Sequence, residues 1–252
     1  MAQSPQGVQT VTRALELLER IADNGESVTV SALATISGLP LPTVHRMLKT
    51  LVALGYVRQL PSRRYALGPR LIRLGESAGR ALGAAAQPFL AELVESTGET
   101  ANLAMREADN VVYVAQVPSR HSMRMFTEIG RRVLPHCTGV GKALLSQLSD
   151  AEVKAVVHRT GLQALTDRTI TDVDALLADL ELIRARGWAE DNGEQEIGVR
   201  CLAVPVLGTG IAAALSVSGP EARITPESGD RIGPVLIKVA GEFADSINAG
   251  ED

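Results

Sequence analysis

The segment Thr138-Gly139-Val140-Gly141-Lys142-Ala143 has the glycine-glycine-lysine spacing of a nucleotide phosphate loop, but not its full pattern. Such a loop needs a glycine five residues before Gly141, where His136 stands, and a hydroxyl after the lysine, where Ala143 stands. Two glycines that open a helix still present backbone N–H groups to an anion, and a small carboxylate is a suitable guest. The same glycines also suit a tight turn. Ser216 and Ser218 lie two apart and so share one face of a strand, with Asp191 and Cys201 on or beside the same hairpin. That face either holds hydroxyl donors over a concave sheet or carries polar residues into solvent. Cys137 and Cys201 stand without a C-x-x-C pair, and His45, His121, His136 and His158 are scattered. Buried free thiols are expected there, with no metal and no cofactor. The chain has no G-x-S-x-G and no pair of carboxylates that stands out, so no catalytic residue is assigned and an enzyme is not expected.

A second group of residues points to a different chemistry. The net charge of −4 conceals a split. Residues 1–75 carry 9 Lys/Arg against 4 Asp/Glu, while residues 76–252 carry 16 against 25. Between Glu26 and Glu76 there is no carboxylate, yet Arg46, Lys49, Arg58, Arg63, Arg64, Arg70 and Arg73 fall there. A surface cleared of negative charge is what a polyphosphate partner requires.

The elements around those cations spell a winged helix-turn-helix. Val11, Ala14, Leu15, Leu18, Ile21 and Ala22 recur at helical spacing up to Asn24-Gly25. A short helix follows over Val30 to Ser37, with Ser31 near its cap and Gly38 at its end. A third helix starts near Pro42, where proline suits the first turn. Val44, Met47, Leu48, Leu51 and Val52 form its apolar stripe, which leaves Thr43, His45, Arg46, Lys49 and Thr50 on the opposite face. After Gly55, the strands Tyr56–Gln59 and Arg64–Leu67 pair around Pro61-Ser62-Arg63 as a wing. Pro42, Thr43, His45, Arg46, Lys49, Thr50, Arg63 and Arg64 are therefore the expected contacts to double-stranded DNA. Arg63 and Arg64 would alternatively just solubilise an exposed hairpin.

Arg70 to about Gln87 reads as a connecting helix, and Gly75, Gly79 and Gly83 at four-residue intervals suggest close packing, including on a partner chain. Helices are then expected over 88–97, 141–148, 150–158, 171–186 and 226–247. Strands are expected over 100–106, 110–117, 122–127, 199–207 and 211–218. Hairpins separated by helices without a β-α-β rhythm indicate an α+β fold with an antiparallel sheet. The domain limits are 1–68, 69–87 and 88–252. No apolar run is long enough for a membrane helix, so no membrane partner is expected. Met1-Ala2-Gln3-Ser4-Pro5 lacks a leader pattern, and the expected location is the cytoplasm.

Taken together, these blocks resemble the IclR family of bacterial transcription regulators. The carriers are Gly7–Val11 with Arg13–Leu18, Leu39–Leu48, Tyr65–Gly68, Cys137–Leu145, Gly198–Val206 and Ser216–Pro220. They run in family order from residue 7 to 220, so the likeness spans nearly the whole chain. It implies a GAF-like effector domain after the winged helix. It also implies dimers or tetramers on palindromic operators, a repressor role, and a small carboxylate effector such as glyoxylate, pyruvate or an allantoin-like ureide. Carried over by motif, Gly139 and Val140 become backbone donors. Asp191, Cys201, Ser216 and Ser218 become polar contacts, and Met125 part of the apolar wall. Some family members hold zinc, for which this sequence has no clean ligand set. The rival reading is a small-acid-binding enzyme or sensor module that carries a basic domain.

Overall fold

The computed structural model describes residues 8–125 and 127–249. Met1–Pro5, Gly7 of the first motif block, Phe126 of the expected 122–127 strand and the last three residues lie outside that description. Contacts divide the chain between Ala78 and Gly79 into two units.

In the first unit, α1 (Gln9–Asp23) buries Leu17 and Ile21, and α2 (Val30–Ser37) buries Leu33. The cap of α2 is Thr29, whose hydroxyl accepts the Ala32 N–H at 3.2 Å, so the expected cap at Ser31 sits two residues late. Gly38 ends this helix in the left-handed conformation, and α3 (Leu41–Ala53) begins with proline in its first turn. Strands β1 (Val57–Gln59) and β2 (Tyr65–Leu67) pair antiparallel. Val28 extends the ribbon by exchanging two backbone bonds with Tyr65. One core, built on Leu17, Ile21, Leu33, Val44, Leu48 and Tyr65, joins the three helices to the ribbon. Each large apolar side chain buried there contributes roughly 1.5–3 kcal/mol. Val52 is 37% exposed and drops out of the expected stripe.

The connecting segment is not one helix to Gln87. Helix α4 (Arg70–Gly83) gives way to a single 3-10 turn at Ala84–Ala86, and α5 (Gln87–Thr97) follows. Gly83 stands at the break and lets the chain approach the sheet closely, since a side chain there would lie 3.0 Å from the Val114 carbonyl and 3.2 Å from Ala115 Cβ. This glycine packs on a strand of its own chain, and Gly75 faces open space.

The second unit is a six-stranded antiparallel sheet in the order β5-β4-β3-β8-β7-β6. Its strands are β3 (Thr100–Glu107), β4 (Asn110–Val117), β5 (Arg132–Val133), β6 (Ala189–Asn192), β7 (Val199–Val206) and β8 (Ala213–Pro220). Alternation sorts the faces. Leu103, Leu202, Val204, Leu215 and Val217 pack under α5 and α9 (Ser228–Ala249). Ala104, Ala189, Ala203 and Ala214 pack under α6 (Gly139–Leu145), α7 (Asp150–Thr160) and α8 (Val173–Arg186).

Two strands differ from the sequence expectation. Residues 122–125 and 127 form no strand, and β5 takes the edge beside β4 instead. The Thr100 hydroxyl holds the Met125 carbonyl at 3.2 Å, so that segment is tied by a side chain rather than a ladder. Strand β6 was not expected because Ala-Glu-Asp-Asn is poor in strand-forming residues. It forms because β7 offers an unpaired edge.

Candidate functional site

The exposed face of α3 carries Pro42, His45, Arg46, Lys49 and Thr50, with Thr43 half-buried, while Val44, Met47, Leu48 and Leu51 face the core. Arg46 and Lys49 are exposed, and among the described residues neither forms an ion pair. The Thr50 hydroxyl donates to the Arg46 carbonyl at 3.2 Å. At the wing tip Arg63 adopts φ 60° and is exposed. Arg64 does something else: its Nε donates to Ser27 Oγ at 2.9 Å and its Nη2 to the Ser27 carbonyl at 2.5 Å. That clamp fixes the wing to the strand segment before α2. Arg70 has a comparable structural task, donating to the last-turn carbonyl of Leu54 at 2.9 Å and stacking 5.1 Å from the Tyr56 ring.

In the second unit, strand pairing builds a row of polar side chains. Asp191 of β6 faces Cys201 of β7, Cys201 faces Ser218 of β8, and Ser218 faces Thr100 of β3. One step along, Ala203, Ser216, Asn102 and Gln116 form the next row. Asn102 Nδ2 lies 3.4 Å from the Ser216 and Ser218 hydroxyls, and Gln116 Nε2 donates to Asn102 Oδ1 at 3.0 Å.

A cavity of about 50 Å³ opens over the first row, lined by Met125, Asp191, Cys201 and Ser218. Tyr113, Thr127, Arg131, Gln195, Glu196 and Val199 complete the wall. Of the seven sequence-derived effector residues, four line the cavity, and Gly139, Val140 and Ser216 do not. Gly139 sits against Cys201, where a side chain would come 2.8 Å from Sγ; only glycine lets the start of α6 approach this strand. Val140 belongs to the apolar core. Ser216 is fully buried under Asn102.

Burial sets the protonation of the site. It pushes the Asp191 carboxyl up to about 7, with the Glu194 carboxylate adding to the effect and the Glu194 N–H, at 2.7 Å, opposing it. Burial likewise raises the Cys137 and Cys201 thiols to about 12, so both are neutral near pH 7 and neither is an activated nucleophile. The Tyr113 hydroxyl is also raised by burial.

Lys142, which drew attention as a phosphate-loop residue, has a structural partner instead. It is 2% exposed and donates to Glu194 Oε1 at 2.6 Å and Asp179 Oδ2 at 2.8 Å. Burial works against its charge, but the two carboxylates outweigh it and hold the ammonium above its ordinary pKa. Glu194 thereby ties the β6–β7 loop, including the wall residues Gln195 and Glu196, to α6. Thr166 and Thr169 hold the same loop through the Gly193 and Glu194 carbonyls.

A winged helix with a carboxylate-free basic face, followed by a helix-covered antiparallel sheet, is the architecture of a DNA-binding transcription regulator. The family profile described as "IclR helix-turn-helix domain" matches residues 10–61, and that described as "Bacterial transcriptional regulator IclR C-terminal" matches residues 78–244. The chain belongs to the IclR family of bacterial transcriptional regulators. It is 39% identical to the transcriptional repressor IclR of Escherichia coli K12 over 93% of this chain and 88% of that one. The acetate operon repressor of Salmonella typhimurium matches at the same identity and coverage. Among solved structures, an IclR transcriptional regulator from Silicibacter superposes with a TM-score of 0.81 at 31% identity, covering 94% of this chain and 96% of that one. These relatives are regulators and not enzymes. Among the described residues, no helix is long and apolar enough to cross a membrane.

Proposed function

We propose that this protein is a transcriptional repressor that binds operator DNA as a homodimer or homotetramer and responds to a small carboxylate held in the second unit. Arg46, Lys49 and Arg63 grip DNA, with Pro42, Thr43, His45 and Thr50 at the same surface and Arg64 bracing the wing. Met125, Asp191, Cys201 and Ser218 contact the effector. Ser216 supports that wall through Asn102, and Gly139 and Val140 bring the start of α6 up behind Cys201. The repressor names of the two relatives support the direction of control. The observation that carries the effector reading is the row Asp191–Cys201–Ser218, which lines a cavity on the sheet.

A thermal-shift screen of the purified protein against glyoxylate, pyruvate, allantoin, allantoate and aromatic acids tests the pocket. A ligand at one hundred times its dissociation constant stabilises the unit that binds it by about 2.7 kcal/mol. A stabilising acid whose effect is lost in Ser218→Ala, with DNA binding retained, supports the reading. A panel without a hit, or a hit indifferent to Ser218→Ala, refutes the pocket as drawn.

A further inference from the structure

We infer that the second unit carries a second small-molecule site, at the opposite end of α6 from the effector pocket, built for a monocarboxylate with a ring-sized apolar body. The inference stands on a separate cavity and does not rest on the effector reading.

The length of α6 divides the sheet face beneath it. Gly139, its first residue, packs on Cys201 at the effector end. Ala104, Ala203 and Ala214 lie under the body of the helix. Helix α6 stops at Leu145, while β3, β7 and β8 extend to Glu107, Val206 and Ala213. A cavity of about 270 Å³ opens between the end of the helix and these strand ends. It shares no lining residue with the effector cavity.

The wall selects an apolar body. Leu144, Leu148, Pro205, Leu207 and Ile211 line it, and Arg106 and Gln147 are the polar exceptions. Leu207 is 60% and Ile211 39% exposed, so apolar surface stays in water here until a guest covers it. Size narrows the choice further. A cavity of about 150 Å³ accommodates benzene, so the 270 Å³ present holds a six-membered ring with a substituent. The 50 Å³ effector cavity has no room for such a ring.

The polar lining selects the other end of the guest. Gln147 Nε2 donates to Ser146 Oγ at 3.0 Å, which leaves Arg106 as the free side-chain donor. The Arg106 backbone is fixed beside the cavity, because its N–H donates to the Ala212 carbonyl at 2.8 Å. Its guanidinium is exposed and forms no ion pair or side-chain hydrogen bond among the described residues. The carboxylates around it are already engaged. Glu107 is held by Arg132 at 3.0 Å, and Asp109 by two bonds from Arg159 at 2.6 and 2.8 Å. Glu152 is occupied in capping α7, where it accepts from Ser149. A lone cation on an apolar rim, with its neighbouring acids spent, matches one carboxylate on an apolar guest.

Isothermal titration of the full-length protein with cyclohexanecarboxylate tests the site, with cyclohexanecarboxamide and acetate as the probes that lack the charge or the ring. The acid is expected to saturate at one site per chain and to bind at least about tenfold tighter than either control. Arg106→Gln lowers its affinity by about tenfold and leaves the carboxamide unchanged. Ala212→Leu, at an exposed lining position, fills the cavity and weakens both ring compounds. Ser218→Ala, in the other pocket, leaves all three affinities as they are. Equal binding of the acid by the parent, Arg106→Gln and Ala212→Leu overturns the inference, as does binding abolished by Ser218→Ala. No saturable binding to the parent, with a changed oligomeric mass in Ala212→Leu by analytical ultracentrifugation, assigns the face to a second copy of the chain and overturns it too. No saturable binding with an unchanged mass leaves the cavity without a ligand and has the same consequence.

Discussion

The ammonium of Lys142 lies 2.6 Å from Glu194 Oε1, inside the sheet-helix interface and away from solvent. Removing one partner of such a pair strands the other charge, at a cost of roughly 3–5 kcal/mol. Lys142→Met is expected to lower the thermal midpoint of the second unit accordingly. Adding Glu194→Gln and Asp179→Asn should return part of the loss, because no buried carboxylate then lacks its cation. Denaturation of the single and combined variants measures the coupling. An undiminished midpoint in Lys142→Met would show that the ion pair is not formed in solution.

Pairing across β7 makes a sterically sharper prediction. Gly139→Ala places a methyl 2.8 Å from Cys201 Sγ and 3.3 Å from its carbonyl. Crowding of this kind costs roughly 1–3 kcal/mol. Cys201→Ala in the same chain should relieve the sulfur contact and recover some stability, although the carbonyl contact persists. Additive losses in the double variant would contradict the contact.

On α3, Arg46→Ala and Lys49→Ala are each expected to weaken DNA binding. If both neutralise phosphates, each lowers the salt dependence of log affinity by about 0.9. Arg64→Ala should behave differently, with a lower unfolding midpoint for the first unit and a smaller change in salt slope, since its Nε and Nη2 are held by Ser27. Anisotropy titrations at several salt concentrations, beside a melting curve, distinguish the two roles. Equal slopes for all three variants and the parent would remove α3 from the interface.

The Asp191 carboxyl, held up to about 7 by burial, gives effector binding a pH dependence. Below that value the group is neutral and tolerates an anion in the cavity; above it the ionised carboxylate repels one. Affinity for a small carboxylate should therefore be flat below about pH 6 and fall above pH 7, approaching about tenfold per unit. Asp191→Asn should flatten the profile. A parent profile that rises with pH would mean that Asp191 is ionised and paired in the complex.

The first unit was legible because its information is local. Ile21, Val44 and Leu48 follow helical spacing, and Arg46 and Lys49 follow from the stripe they do not belong to; on α1 the expected stripe is displaced, since Leu17 is buried while Val11 and Leu15 are exposed. The pocket was legible only in part. Asp191, Cys201 and Ser218 could be grouped on or beside one hairpin and took their role from the family resemblance, but nothing in their spacing aligns residues 191, 201 and 218 in one row. That alignment is a property of β6–β7–β8 pairing. Asn102 and Gln116 escaped notice because sequence order does not put β3 beside β8. Arg131 sits in an exposed turn, where an arginine ordinarily signals nothing. Lys142 attracted the wrong chemistry, since its buried partners lie 37 and 52 residues away.

The placement of the pocket along the chain has a temporal consequence. Every residue of the winged helix precedes residue 70, while the polar row closes only when Ser218 pairs with Thr100. A ribosome adding about 5–20 residues per second needs on the order of 10–30 s to cover that interval. During synthesis, the nascent chain carries a finished DNA-reading unit before it owns any means of sensing a metabolite. Each new molecule therefore begins its life deaf to the signal it will later obey.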